Sequence, residues 1–123
     1  QLTHGWRLEA ELVSRKVYEN KPIELQQDRQ HAWLNPADLV LPMEVRGMRP
    51  GERWAPLGMQ GKHQKLSDFF INEKIPQGAR AQWPLVLSEG SVLWVCGLRI
   101  SQAWRLIGDE PEILHLHLVA PKR

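Results

Sequence analysis

The sequence contains one cysteine, Cys96, so no disulfide can form within the chain, and a reducing environment is the natural setting. It holds one tyrosine and two phenylalanines, which leaves tryptophan, present six times, to supply most of the aromatic bulk. No apolar run approaches the roughly 20 residues that cross a bilayer, and no signal-peptide pattern opens the chain. The phosphate-loop pattern G-x-x-x-x-G-K-[ST], the dinucleotide pattern G-x-G-x-x-G after a strand, H-E-x-x-H and C-x-x-C are all missing. Internal repeats and low-complexity tracts are missing too. Charge of one sign is scarce: the whole chain carries a formal net charge of only +2, too little to mark a nucleic-acid partner by itself. There is no initiator Met at Gln1, which points to a piece of a longer chain.

What is present are nine glycines and nine prolines in 123 residues, a composition of short strands and many turns. At this length roughly 65% of the unfolded chain's surface is buried on folding, enough for a real core. Gly5–Val13 alternates Trp6, Leu8, Ala10 and Leu12 with Arg7, Glu9 and Glu11, the period of a half-buried strand. Ser14–Arg29 is polar and reads as a loop or hairpin arm with a turn at Asn20–Pro22. His31–Leu34 is a short apolar piece. Leu39–Val45 reads as a strand whose Pro42 confines it to an edge or bulge.

Ser67–Lys74 predicts a short helix, with Ser67 as N-cap, Asp68 in the first turn, a Leu66/Ile71 staple and Pro76 as stop. A second short helix is predicted over Gln77–Gln82. Leu85–Leu87 and Val92–Cys96 flank a hairpin turn at Ser88–Ser91, and Gly97–Ile100 bends away. Ile113–Val119 is the clearest strand, with Leu114, Leu116 and Leu118 facing one way and His115 and His117 the other. The sum is an α+β fold with a mixed, mostly antiparallel, sandwich-like sheet and two short helices.

The charge is not evenly spread. Arg46–Pro76 carries Arg46, Arg49, Arg53, Lys62, Lys65 and Lys74 against Glu52, Asp68 and Glu73, so this segment is net +3 and the remainder is near neutral. Four glycines (Gly47, Gly51, Gly58, Gly61) and three prolines shape it into turns that let backbone approach a ligand closely. Arginine matches phosphate oxygens in a planar fork and lysine adds less directional charge. Trp54 and His63 offer rings for stacking on a base. Ordinary alternatives stand beside this: Arg49 or Arg53 bridging to Glu52 or Asp68, and Trp54 filling the core. Cys96 lacks a paired base and reads as a buried thiol. His115 and His117 lie about 7 Å apart on one strand face, but with no third ligand in view they read as a solvated face rather than a metal site. Glu9 and Glu11 read as a solvent-facing edge. Phe69, Phe70, Ile75, Leu85, Leu93 and Trp94 are assigned to the core.

At these residues the chain resembles the C-terminal domain of bacterial tRNA(Ile)-lysidine synthetase. The similarity runs through R-G-M-R-P-G-E-R-W-A-P-L-G-M at Arg46–Met59, K-L-S-D-F-F-I-N-E-K-I-P at Lys65–Pro76, Arg80, P-L-V at Pro84–Val86 and L-W-V-C-G-L-R-I at Leu93–Ile100. Gln1–Leu41 fits only loosely, as a strand-containing lead-in packed on a domain at 42–123, with 1–123 expected as one folded unit. Glu52 stands where the family often has Asp. The resemblance implies a layered α+β fold like an accessory domain of the phenylalanyl-tRNA synthetase beta subunit. It also implies a cytoplasmic ligase that uses ATP, with Mg, to join lysine to the wobble cytidine of CAU-anticodon tRNA(Ile).

The family's S-G-G-x-D-S loop belongs to an N-terminal catalytic domain and does not occur in this chain. The fragment is therefore expected to hold no cofactor, to catalyse nothing alone and to contact no membrane. Its implied task is to dock the tRNA acceptor stem. The positive surface is expected from Arg46, Arg49, Arg53, Lys62, Lys65 and Lys74, with Trp54 and His63, and with Arg80 and Arg99 as further members. The polar half Arg46–Lys65 is expected to face RNA, and Leu66–Pro76 mostly to fold. The competing reading is a structural or dimerisation domain, in which the tryptophans and the Leu114/Leu116/Leu118 strand face build a subunit interface of a possible homodimer.

Overall fold

The computed structural model describes residues 5–122. The last long strand, β9 (Glu112–Val119), is the centre of a three-stranded antiparallel sheet. On one side it pairs with β1 (Arg7–Ser14) over its full length, and on the other with β2 (His31–Leu34). The lead-in is thereby built into the same sheet as the end of the chain. A second antiparallel sheet has the order β3 (Glu44–Arg46), β6 (Leu85–Ser88), β7 (Ser91–Val95), β8 (Arg99–Ile100). Between β3 and β6 come a two-stranded hairpin, β4 (Arg53–Trp54) with β5 (Gln64–Lys65), and then helices α3 (Leu66–Asn72) and α4 (Gln77–Arg80).

The β9 alternation works as its period demands. Leu114, Leu116 and Leu118 pack with Ala32 and Leu34 against Val86, Leu93, Trp94 and Cys96 of the second sheet, forming one core between the two sheets. The second sheet is covered on its other face as well. Leu85, Leu87, Val92 and Val95 meet Leu66, Phe69 and Phe70 of α3 and Trp54 of the hairpin in a second core. All four residues of β6 are buried, which is why its run reads as continuously apolar. The β6–β7 turn is Glu89-Gly90 with both residues at positive φ, 46° and 79°, the two-residue turn that the sequence predicts.

Several expectations are corrected. Ser14–Arg29 is not an open loop: it forms α1 (Arg15–Glu19), capped by the Ser14 hydroxyl, and α2 (Ile23–Gln26), which meet Trp33 of β2 through Tyr18 and the Leu25 carbonyl. The fold therefore has four short α-helices among the described residues, not two. The strand expected at Leu39–Val45 is confined to Glu44–Arg46, because Pro42 cannot supply a ladder donor. Gly97–Ile100 does not bend away but turns back, so that β8 pairs with β7.

Ser67 is not the cap of α3. The helix starts one residue earlier, with Lys65 as its N-cap and no side-chain cap, and the Leu66 amide bonds to the Glu52 carbonyl at 2.9 Å. Tertiary bonding to the hairpin replaces the local cap. Ile71 is 53% exposed, so the expected staple to buried Leu66 is not made.

The far end of α3 closes with a left-handed residue. Lys74 has φ 60°, its amide bonds to the Ile71 carbonyl at 2.9 Å, and the Ile75 amide reaches the Phe70 carbonyl at 3.0 Å. These two bonds form the helix-stop motif that normally carries glycine, and Ile75 packs on the same core as Phe70. A side chain in this region of φ/ψ costs about 1–2 kcal/mol, part of which glycine loses again to backbone entropy. Lys74→Gly is therefore expected to stabilise the fold by about 0.5–1 kcal/mol in thermal unfolding, with no gain from Lys74→Ala.

Candidate nucleic-acid interface

The site starts from Glu52. Its carboxylate accepts both terminal nitrogens of Arg46, at 2.9 and 2.7 Å, and the Arg49 backbone amide at 3.0 Å. That fork closes the Met48–Glu52 turn onto the end of β3. Both side chains of the pair are only 15% exposed. The hydrogen bond to Arg46 holds the Glu52 carboxyl below its ordinary pKa, and the same bond raises Arg46. Arg46 also donates to the Gly47 carbonyl at 3.0 Å. It is committed to holding the segment in shape.

The hairpin that follows is pinned at its base and along its loop. Leu57 and Gln102 amides bond to the Ile100 and Ala55 carbonyls, at 3.0 and 2.8 Å, and Pro56 bridges to Ser101. Trp54 does not face outward. It is 4% exposed, meets Phe69 edge-on at 5.1 Å, and its indole nitrogen finds no partner among the described residues. The expectation that Trp54 stacks on a base is corrected: it is the apolar post that the hairpin stands on, because strand alternation turns it inward when Arg53 turns out.

The remaining cations separate into two groups. Arg80 donates through Nε to the Ile75 carbonyl at 2.8 Å and steadies the α3–α4 turn. Arg99 pairs with Glu73 at 3.2 Å, with its guanidinium 5.4 Å from the Phe69 ring centre, and so ties β8 to the end of α3. Lys74 is exposed at the helix stop. Arg49, Arg53, Lys62, His63 and Lys65 are all exposed, and none of them enters a salt bridge among the described residues. Arg53 and Lys65 stand directly opposite each other in the β4–β5 ladder. Opposed like charges disfavour a sheet pair, so this placement lowers the hairpin's own stability and is relieved when an anion sits between them.

Elsewhere, Cys96 is fully buried and burial pushes its thiol up to about 12, an inert side chain. Leu114, Leu116 and Leu118 are 2%, 0% and 9% exposed inside the first core, so the subunit interface imagined for that strand face is not available.

The opposite face of β9 holds an arrangement that the sequence did not reveal. His31 on β2 joins His115 and His117. His31 Nδ1 lies 2.7 Å from His115 Nε2, and His115 Nδ1 lies 3.2 Å from a Glu11 carboxylate oxygen. The rings stack, with Trp33 3.8 Å from His115 and His31 3.9 Å from His117, centre to centre. Burial, before the repulsion between neighbours, lowers the pKa of His31 and of His115, whose contact to Glu11 works the other way. Both nitrogens of His115 are engaged, one by His31 and one by Glu11, and His117 Nδ1 lies 3.6 Å from a Glu9 carboxylate oxygen; no group of three or more metal-binding side chains among the described residues is placed to hold an ion. No helix among them is long and apolar enough to cross a membrane.

The comparison with known proteins decides the family. The model of the TilS substrate C-terminal domain matches residues 43–118, from just before β3 almost to the end of β9. The chain belongs to this family. Among the relatives of this TilS domain, the tRNA(Ile)-lysidine synthase of Geobacter sulfurreducens is 40% identical over 75 residues, covering 61% of this chain and 16% of that protein. That of Clostridium acetobutylicum is 27% identical over 104 residues, covering 85% and 22%. A solved structure described as a TILS C-terminal domain superposes with a TM-score of 0.80 at 29% identity, covering 99% of this chain and 89% of that one. The chain spans less than a quarter of the length of the curated relatives it matches.

The family assignment covers the basic hairpin, the buried Arg46–Glu52 pair, the whole second core and the part of the first core that lies within 43–118. What sequence reasoning missed in the TilS domain is the role of Glu52 as the organiser of the turn; Trp54 as a core residue stands there as the alternative to stacking. Sequence reasoning offers Glu52 as a partner for Arg49 or Arg53, with Asp68 as the other acid, and not for Arg46.

Proposed function

We propose that this chain is the tRNA-docking domain of a tRNA(Ile)-lysidine synthase and grips the acceptor stem through the β4–β5 hairpin. One observation carries the reading: Arg53 and Lys65 are placed face to face, exposed and without a salt bridge among the described residues, on a hairpin held by Glu52 and Trp54. Arg49, Lys62 and His63 extend the same basic surface. A duplex stem hides its major-groove edges, so it is read through phosphates, ribose hydroxyls and shape, which suits a fixed array of guanidinium and ammonium groups. In the whole enzyme the ligase chemistry, with ATP, Mg and lysine, would belong to the N-terminal catalytic domain, and the anticodon CAU would be read there. The layered α+β architecture then parallels an accessory domain of the phenylalanyl-tRNA synthetase beta subunit, in a cytoplasmic enzyme.

Titration of the chain with tRNA(Ile) at several salt concentrations tests this. Each phosphate neutralised contributes about −0.7 to −0.9 to the log–log slope. Arg53→Ala/Lys65→Ala is expected to flatten the slope by about 1.5 and weaken binding roughly tenfold or more. Arg46→Lys is not expected to change the slope, since that side chain faces Glu52. An unchanged slope in the Arg53/Lys65 variant, or tRNA bound no better than random RNA, would sink the proposal.

A further inference from the structure

At the end of β3, against the segment that follows α4, lies a cleft of about 830 Å³. One wall comes from each core: Trp6 packs on the first and Trp83 on the second. The Trp83 indole is fixed by a 2.8 Å hydrogen bond from its Nε1 to the Cys96 carbonyl. Gln30 and Gln82, both exposed, bring amide donors and acceptors to the lining, and the backbone approaches closely at Gly47 and Gly97. Gly97 sits at φ 75°. Rigid aromatic walls with a few amides form the chemistry that receives a flat heterocycle, and the volume falls in the range of small-molecule sites.

We infer that this cleft takes an unpaired nucleobase of the RNA held by the basic hairpin. The inference rests on the docking reading above and adds a site that it does not contain. The link between the two is Gly47, which lines the cleft, while Arg49 is two residues further on and exposed. Two peptide units span at most about 7 Å. A base seated against the Trp6 and Trp83 indoles would leave its phosphate toward the turn that follows Gly47, where Arg49 is the adjoining exposed cation. An aliphatic protein segment would use the apolar walls but leave both amides and the adjoining cation without a role.

The test compares two labelled RNAs with the same stem, one blunt and one with a short single-stranded overhang, titrated with the 123-residue chain. Base-on-aromatic stacking is worth roughly 5- to 100-fold in affinity, and the overhang is expected to bind tighter by about that factor while quenching tryptophan emission. Trp6→Ala should remove most of the advantage and leave the blunt RNA's affinity unchanged. Should Trp6→Ala unfold the chain, Gln30→Ala/Gln82→Ala leaves the packing alone and reads the same difference. An overhang without advantage, beside a blunt stem that still binds with the full salt slope, overturns the base site and spares the docking reading. In that case the cleft fits a protein segment. If neither RNA binds, the docking reading falls, and the base site with it.

Discussion

Gly47→Ala is expected to cost about 3 kcal/mol of stability, roughly a 10 °C fall in melting temperature at this chain length. A Cβ built at this position would stand 2.1 Å from the Ala81 carbonyl oxygen and 3.2 Å from its carbon. The obstacle is backbone at the end of α4, which cannot rotate aside as a side chain does. Relief requires β3 and the α4 turn to separate, which opens the second core beside Trp83 and displaces Arg46. Gly47 is thus required by close approach rather than by a left-handed backbone. Gly78→Ala is the matched control, since nothing lies within 4 Å of its Cβ position. It sits in α4, where alanine should be neutral or stabilising by up to about 1 kcal/mol. Equal melting temperatures for the two variants would show that the β3–α4 contact does not constrain the fold.

Glu52→Gln is expected to destabilise the domain by about 2–3 kcal/mol, because it leaves the guanidinium of Arg46 largely buried without its counter-charge. The double variant Arg46→Met/Glu52→Gln should cost clearly less than the sum of the two single changes, the mark of a coupled pair. The pH dependence has a definite sign. The carboxyl of Glu52 is held below its ordinary range in the folded chain, first by the Arg46 hydrogen bond. Its contribution is therefore complete above the unfolded value and is lost as pH falls through the folded one. Urea unfolding between pH 6 and 3 should show wild type losing stability faster than Glu52→Gln, with the two curves converging in acid. Parallel curves would place the acid sensitivity elsewhere. With its turn released, Glu52→Gln should also weaken tRNA binding without changing the salt slope much, because the residue touches no phosphate itself.

These two residues show where sequence reading succeeds and where it stops. The basic segment, its glycine-shaped turns and its family pattern were legible, since charge and turn chemistry are local. The division of labour among the cations was not. Arg46 and Arg53 look alike in sequence, yet Arg46 is forked to Glu52 while Arg53 stands free opposite Lys65. Trp54 beside Arg53 has the composition of a stacking ring and the position of a core residue. The start of α3 was misplaced by one residue for the same reason: Ser67 is a good local cap, but the Leu66 amide was already bonded to Glu52 from the hairpin. The helices α1 and α2, five and four residues long, are too short for a periodic signal to stand out.

The amino-acid order alone determined the α+β class, the β6–β7 hairpin, the inward leucines of β9 and the location of the excess positive charge. Each follows from period, turn residues or charge within a few positions of one another. Tertiary structure decided which cations are structural and which are free, because pairing depends on partners brought from other strands. It also decided that His31 closes on His115 from 84 residues away, and that Trp6 and Trp83 face one cleft. Those contacts are set by two cores folding against a shared sheet, and no window of sequence spans them.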